Sequence, residues 1–121
     1  MTEIFRTTVT DAGEQAGAFI ADGLFVTFGQ GVPDSLKDFC FIIEMNPVEQ
    51  PLAVGQNLLV DGVSYPITAV GEAAHKNLEG LGHVTVNVTG GDTAGLAGAI
   101  HIDCAGNPPQ LQVGSLLTIE S

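Results

Sequence analysis

A chain of 121 residues fits one domain, residues 1–121, and its 45% apolar content is enough to bury an ordinary core. Fourteen acidic residues face only three basic ones, Arg6, Lys37 and Lys76, for a net charge of −11. That balance excludes nucleic acid and anionic lipid as partners, since binding either needs cations to neutralise phosphate. The acids are spread singly from Glu3 to Glu120, so they read as a solvated surface, one that would also steer the chain toward a basic protein partner.

Strand signals dominate the chain. Ile4 to Thr10 is rich in β-branched residues and stops at the turn Asp11-Ala12-Gly13. Glu14 to Ala21 is weakly helical and closes at Asp22-Gly23. Leu24 to Phe28 is a second strand, and Asp34, after Pro33, is positioned to cap a short helical turn. Phe39 to Met45 is the most apolar run and reads as a strand buried on both faces, halted by Asn46-Pro47. Leu58 to Val60 and Val63 to Val70 flank Asp61-Gly62, a two-residue hairpin signal. Residues 73–81 form the one credible helix, stopped by Gly82. His83 to Val88 alternates strictly, which puts His83, Thr85 and Asn87 on one face of a half-buried strand. Ala99 to Asp103 and Ser115 to Ile119 complete the set.

The segment Leu52 to Val60 returns as Leu111 to Ile119, each an apolar residue, a Val-Gly turn and a strand. Both a duplicated half and chance give that echo. Many short strands closed by glycine turns favour an all-β fold, a small closed or nearly closed barrel with one short helix, because closure removes aggregation-prone edges. Phe41 and Val84, on the apolar phase of their strands, are expected in its core. Cys40 and Cys104 lie in apolar runs, and no secretory or membrane-length segment is present, so two reduced thiols in a cytoplasmic protein are expected.

Standard site signatures are missing. There is no phosphate-cradling glycine loop and no nucleophile elbow, and the cysteines and histidines lack metal-ligand spacing, so neither cofactor nor metal is expected. Chemistry falls to the histidines. His75 sits in the helix beside Lys76 and reads as a surface residue. His101 alternates with Ile100 and Ile102 and faces away from them. His83 follows Gly82, where a partner's backbone can approach closely. Imidazole is the side chain here suited to taking a phosphoryl group reversibly near neutral pH, although a histidine hydrogen-bonded at a sheet surface fits both positions equally.

Several stretches in order carry a resemblance: Thr7 to Thr10; Gly31-x-Pro33-x-x-Leu36-x-Asp38-Phe39-Cys40-Phe41-Ile42; Tyr65 to Gly71; Asn77-Leu78-x-x-Leu81-Gly82-His83-Val84-Thr85; and Gly114 to Leu117. Over nearly its whole length the chain resembles the glucitol/sorbitol-specific IIA component of the bacterial phosphoenolpyruvate-dependent sugar phosphotransferase system. The resemblance implies a phosphocarrier. HPr would pass a phosphoryl group to a IIA histidine, which would hand it to a IIB cysteine for sugar phosphorylation during transport through IIC, the partners being HPr and the IIB/IIC parts of a polyol permease. In that family pattern the phosphorylated histidine follows Cys-Phe-Ile, and here that position is Ile43, which has no lone pair. The resemblance therefore implies one of two things. Either His83, with His101 in support, carries the phosphoryl group, or this relative binds transport or regulatory partners without relaying phosphate. A plain β-barrel interaction module of common ancestry is the third reading.

Overall fold

The computed structural model describes residues 2–91 and 96–121. Its strands are β1 Glu3–Ala12, β2 Leu24–Phe28, β3 Phe41–Ile43, β4 Asn57–Val60, β5 Val63–Val70, β6 Val84–Asn87, β7 Ala99–Ile102 and β8 Leu116–Glu120. They pair in the order β1-β3-β2-β6-β7-β5-β4-β8, and β8 pairs back onto β1 to close the ring. The neighbours β2/β3 and β6/β7 run parallel and the other pairs antiparallel. The expected all-β closed barrel is what the chain forms.

Local chemistry accounts for the connections. Asp61 and Gly62 both take positive φ, 51° and 86°, as the type I′ turn joining β4 to β5 requires. The helix expected over 73–81 is α2, Ala74–Leu81, and the left-handed Gly82 ends it by donating its N–H to Leu78 O at 3.0 Å. The weakly helical stretch before Gly23 is a 3₁₀ turn, Ala18–Asp22. Asp34 does not cap the turn after Pro33. It is the first residue of the single-turn helix α1, Asp34–Lys37, and Pro33 occupies the cap position with no side-chain bond. The strand expected over 39–45 is shorter, because Cys40 N–H bonds back to Lys37 O at the end of α1, and pairing with β1 begins only at Phe41.

The ring has a two-fold pseudo-symmetry. Exchanging β1 with β5, β2 with β6, β3 with β7 and β4 with β8 maps the strand order onto itself, parallel pairs included. Individual bonds follow the exchange. Val9 N–H donates to Ser115 O at 2.9 Å and Ile67 N–H to Gln56 O at 2.8 Å, while Gly114 N–H returns to Val9 O and Gly55 N–H to Ile67 O. The turn glycines match too, with φ of +99° at Gly55 and +94° at Gly114. The repeated Leu…Val-Gly…strand segments are thus the two approaches to β4 and β8, which lie side by side with Leu58 opposite Ile119. This arrangement is the one a duplicated half would produce.

Inward residues from every strand fill the barrel. Phe25 and Phe41 meet edge-on in its middle, 6.2 Å between centroids at 84°. The remaining void is only about 20 Å³, too small for a ligand, so the interior is a packed core and not a binding pore. A second, smaller apolar cluster of Phe28, Cys40 and Ile42 lies on the outer side of β2 and β3. Phe41 and Val84 are buried as expected, at 2% and 4% exposure. Phe41→Ala is expected to destabilise the fold by about 3 kcal/mol or more, since it leaves a cavity where two aromatic rings interlock. Urea unfolding should show a lower midpoint at unchanged slope.

Candidate functional site

Alternation along β6 and β7 decides which side chains reach the outside. On β6 the valines Val84 and Val86 point inward, so His83, Thr85 and Asn87 project half-buried from the outer face. On β7 Ile100 and Ile102 are fully buried, and His101 projects outward between them. The polar faces read from the sequence are therefore real outer faces of the barrel.

His83 is held on three sides. Its Nδ1 lies 3.1 Å from Thr27 O, and because a carbonyl only accepts, Nδ1 carries the proton. The lone pair is then on Nε2. The imidazole lies tilted against the Phe28 ring, 4.7 Å between centroids. Its backbone N–H donates to Asn77 O in α2. At the backbone leading into it, the buried Gly29 and Gly82 pass so close that a Cβ on Gly82 would come within 2.7 Å of Gly29 N. Met45 covers this crossing, with its sulfur 3.0 Å from where a Gly82 Cβ would stand. Leu81 and Met45, beside the histidine, are exposed by nearly half.

His101 is wired in the same sense: its Nδ1 lies 2.8 Å from Gly90 O, so it too holds its lone pair on Nε2. The two rings share one outer surface but are not brought together. His101 is in register with Asn87, four residues beyond His83, which separates the two by about 13 Å along the strand direction. His75, on α2, has Nε2 3.8 Å from a Glu79 oxygen, an intrahelical pair at the surface and apart from the other two.

Ile43 ends β3 on the inward phase, with no exposed area. It lines the residual void together with Thr27 and apolar residues. A side chain at this position meets the core, and a partner protein reaches it only if the strand end opens. Sequence reasoning identified the missing imidazole at position 43 but not this burial. Thr27 was not singled out either. It reads as one more β-branched strand residue, and only the β2–β6 pairing places its carbonyl beside residue 83.

Cys40 and Cys104 are free and buried, 3% and 6% exposed. Burial pushes both thiols up from their ordinary pKa, with Asp103 adding to the effect on Cys104. The three largest surface depressions described, of about 360, 450 and 470 Å³, have no histidine in their lining. Among the described residues no group of three or more potential metal ligands converges, and no helix is long and apolar enough to cross a membrane.

The described residues thus form a packed barrel with two outward imidazoles, His83 and His101, each held at Nδ1 by a main-chain carbonyl. The chain belongs to the family of PTS system glucitol/sorbitol-specific IIA components, whose family model matches residues 4–118. It is 37% identical over 122 residues to the PTS system glucitol/sorbitol-specific EIIA components of Escherichia coli strain K12 and of Shigella flexneri, covering 100% of this chain and 98% of each of theirs. The crystal structure of a PTS system IIA component from Enterococcus faecalis V583 superposes with a TM-score of 0.83 at 22% identity, over 97% of this chain and 100% of that one, and shows the same fold. Phosphoryl relay is the general role of this family, and its members work with the other components of the transport system.

The buried thiols set a pH signature. In native protein a disulfide reagent should find no reactive cysteine, and two per chain should appear after denaturation. A thiol whose folded pKa is raised stabilises the fold fully below the unfolded pKa. That contribution should decline as pH climbs past about 8.5, because the unfolded chain then gains by ionising while the folded one does not. Urea midpoints measured from pH 7 to 10 check the direction.

Proposed function

We propose that this chain is a IIA phosphocarrier of a glucitol/sorbitol-type permease in which Nε2 of His83 accepts the phosphoryl group. The observation that carries this is the Nδ1–H to Thr27 O bond, which fixes the tautomer with its lone pair on the outward nitrogen. In the step, that lone pair attacks phosphorus on the phosphohistidine of HPr. The new P–Nε2 bond forms as the donor's P–N bond breaks, and the pair left on the donor nitrogen restores neutral imidazole there. Transfer to a IIB cysteine reverses the sense, with thiolate attacking and the electron pair returning to Nε2, ahead of sugar phosphorylation through IIC.

Two features of the surroundings support the role. Leu81 and Met45, which flank the Gly82 backbone leading into His83, supply the exposed apolar area that docking of a protein donor uses. The charge of −11 favours encounter with a basic donor surface. At about 13 Å along the strand direction, His101 does not touch a phosphoryl group on His83 directly, and we place it as the alternative acceptor on the same face.

Incubation with phosphoenolpyruvate, enzyme I and HPr, followed by intact mass measurement, tests the reading. One added phosphoryl group is expected, lost in mild acid and kept in alkali, as a phosphoramidate behaves. His83→Ala should abolish it, whereas His75→Ala and His101→Ala leave it in place. Loss in His101→Ala alone moves the acceptor to His101. No phosphorylation of the wild-type chain overturns the carrier reading in favour of a partner-binding relative without relay.

A further inference from the structure

Thr27 stands out among the residues around the interior void. It is 1% exposed, and its ten fellow lining residues are all apolar. Packing alone does not call for a hydroxyl there, since valine has nearly the same shape, and a buried hydroxyl is costly unless it is bonded. It is bonded: Thr27 Oγ1 donates to Gly82 O at 2.9 Å, across 55 residues of sequence. Gly82 is the left-handed residue directly before His83, with φ +67°. Its peptide plane sets the direction in which the His83 side chain leaves the backbone.

We propose that Thr27 is the positioning residue for His83, holding the ring from both ends. The hydroxyl pins the Gly82 carbonyl and so the backbone that carries the imidazole. The carbonyl of the same residue accepts the Nδ1 proton at 3.1 Å and so selects the tautomer. Phe28, the next residue on β2, provides the surface against which the ring lies. One stretch of β2 thereby sets the backbone, the ring plane and the tautomer, and leaves Nε2 as the basic nitrogen. The proposal rests on reading His83 as the acceptor for its functional meaning, but its geometric content is measurable without phosphate.

The test compares Thr27→Val, Thr27→Ser and Thr7→Val with the wild type. Thr7 is the matched control: it is 2% exposed and its hydroxyl donates to a main-chain carbonyl, Glu44 O, at 2.9 Å, but that bond is not made to the His83 segment. Long-range ¹H–¹⁵N spectra of the imidazoles, recorded where the rings are neutral, should show wild-type His83 as the Nδ1–H tautomer alone. Thr27→Val should turn this into a mixture of tautomers, and Thr27→Ser should restore the single form. Thr7→Val should lose comparable stability and keep the tautomer. The initial rate of phosphoryl uptake from HPr should fall on the order of tenfold in Thr27→Val and recover in Thr27→Ser. A wild-type His83 already in mixed or Nε2–H form overturns the proposal without any variant, and so does a Thr27→Val protein that keeps the single tautomer. If His83→Ala still accepts phosphate, the acceptor reading fails, while the tautomer spectra still decide the role of Thr27.

Discussion

The pairing of β8 with β1 is the constraint on which the rest of this molecule depends. Through it the eight strands become a ring with no free edge, and each strand acquires one inner and one outer face. A closed ring of this size has no room for anything but side chains, and the void of about 20 Å³ shows how fully it is filled. No cavity is left inside for a ligand, and the outward phase of each strand is what the ring offers to other molecules. A residue's parity in its strand decides whether it packs into the barrel or faces out of it.

That rule separates residues that the sequence sets close together. Ile42 faces outward into a small cluster with Phe28 and Cys40, and Ile43, one step on, is sealed inside. Phe28 then links the outer cluster to the His83 ring. The imidazole is therefore not an appendage on a strand. It is the top of a packed stack that begins at β3, passes through β2 and ends at β6. The pseudo-symmetry exchanges these elements with their partners but does not duplicate the stack. The exchange sends Ile42 to the His101 position on β7, so the second half carries a histidine where the first carries an apolar residue. The two halves share a backbone plan and divide the surface chemistry unequally.

Much of this was legible in the residues. Period-two alternation located β6 and β7 and their outward histidines, because parity is a local property. Asp61-Gly62 announced the hairpin, and Gly82 the end of α2, since each needs a left-handed backbone. The Val-Gly echo marked the two halves. What was not legible is non-local. No local pattern pairs β2 parallel with β3 and antiparallel with β6, yet that pairing alone brings Thr27 to His83. The single-turn α1 ends the apolar run early for the same kind of reason, through a bond that competes with the strand ladder.

The same distinction bears on how a carrier without a histidine at position 43 can keep its role. A phosphoryl group carries close to two negative charges, and an apolar barrel interior offers it neither water nor cations. Chemistry at the inward phase would thus require the end of β3 to open, at the expense of contacts that Ile43 now makes. An imidazole on the outer face avoids that cost. What it lacks is the rigidity that a core confers, and an unrestrained ring presents either nitrogen to a donor. His83 regains the rigidity from its neighbours, with Thr27 on one nitrogen, Phe28 on one face and the glycine crossing beneath. His101 has the tautomer bond to Gly90, but among the described residues no aromatic ring stacks on it. Of the two half-buried outward histidines, His83 is therefore the one whose ring is held on a face as well as at a nitrogen, which is the preorganisation that the proposed transfer would use.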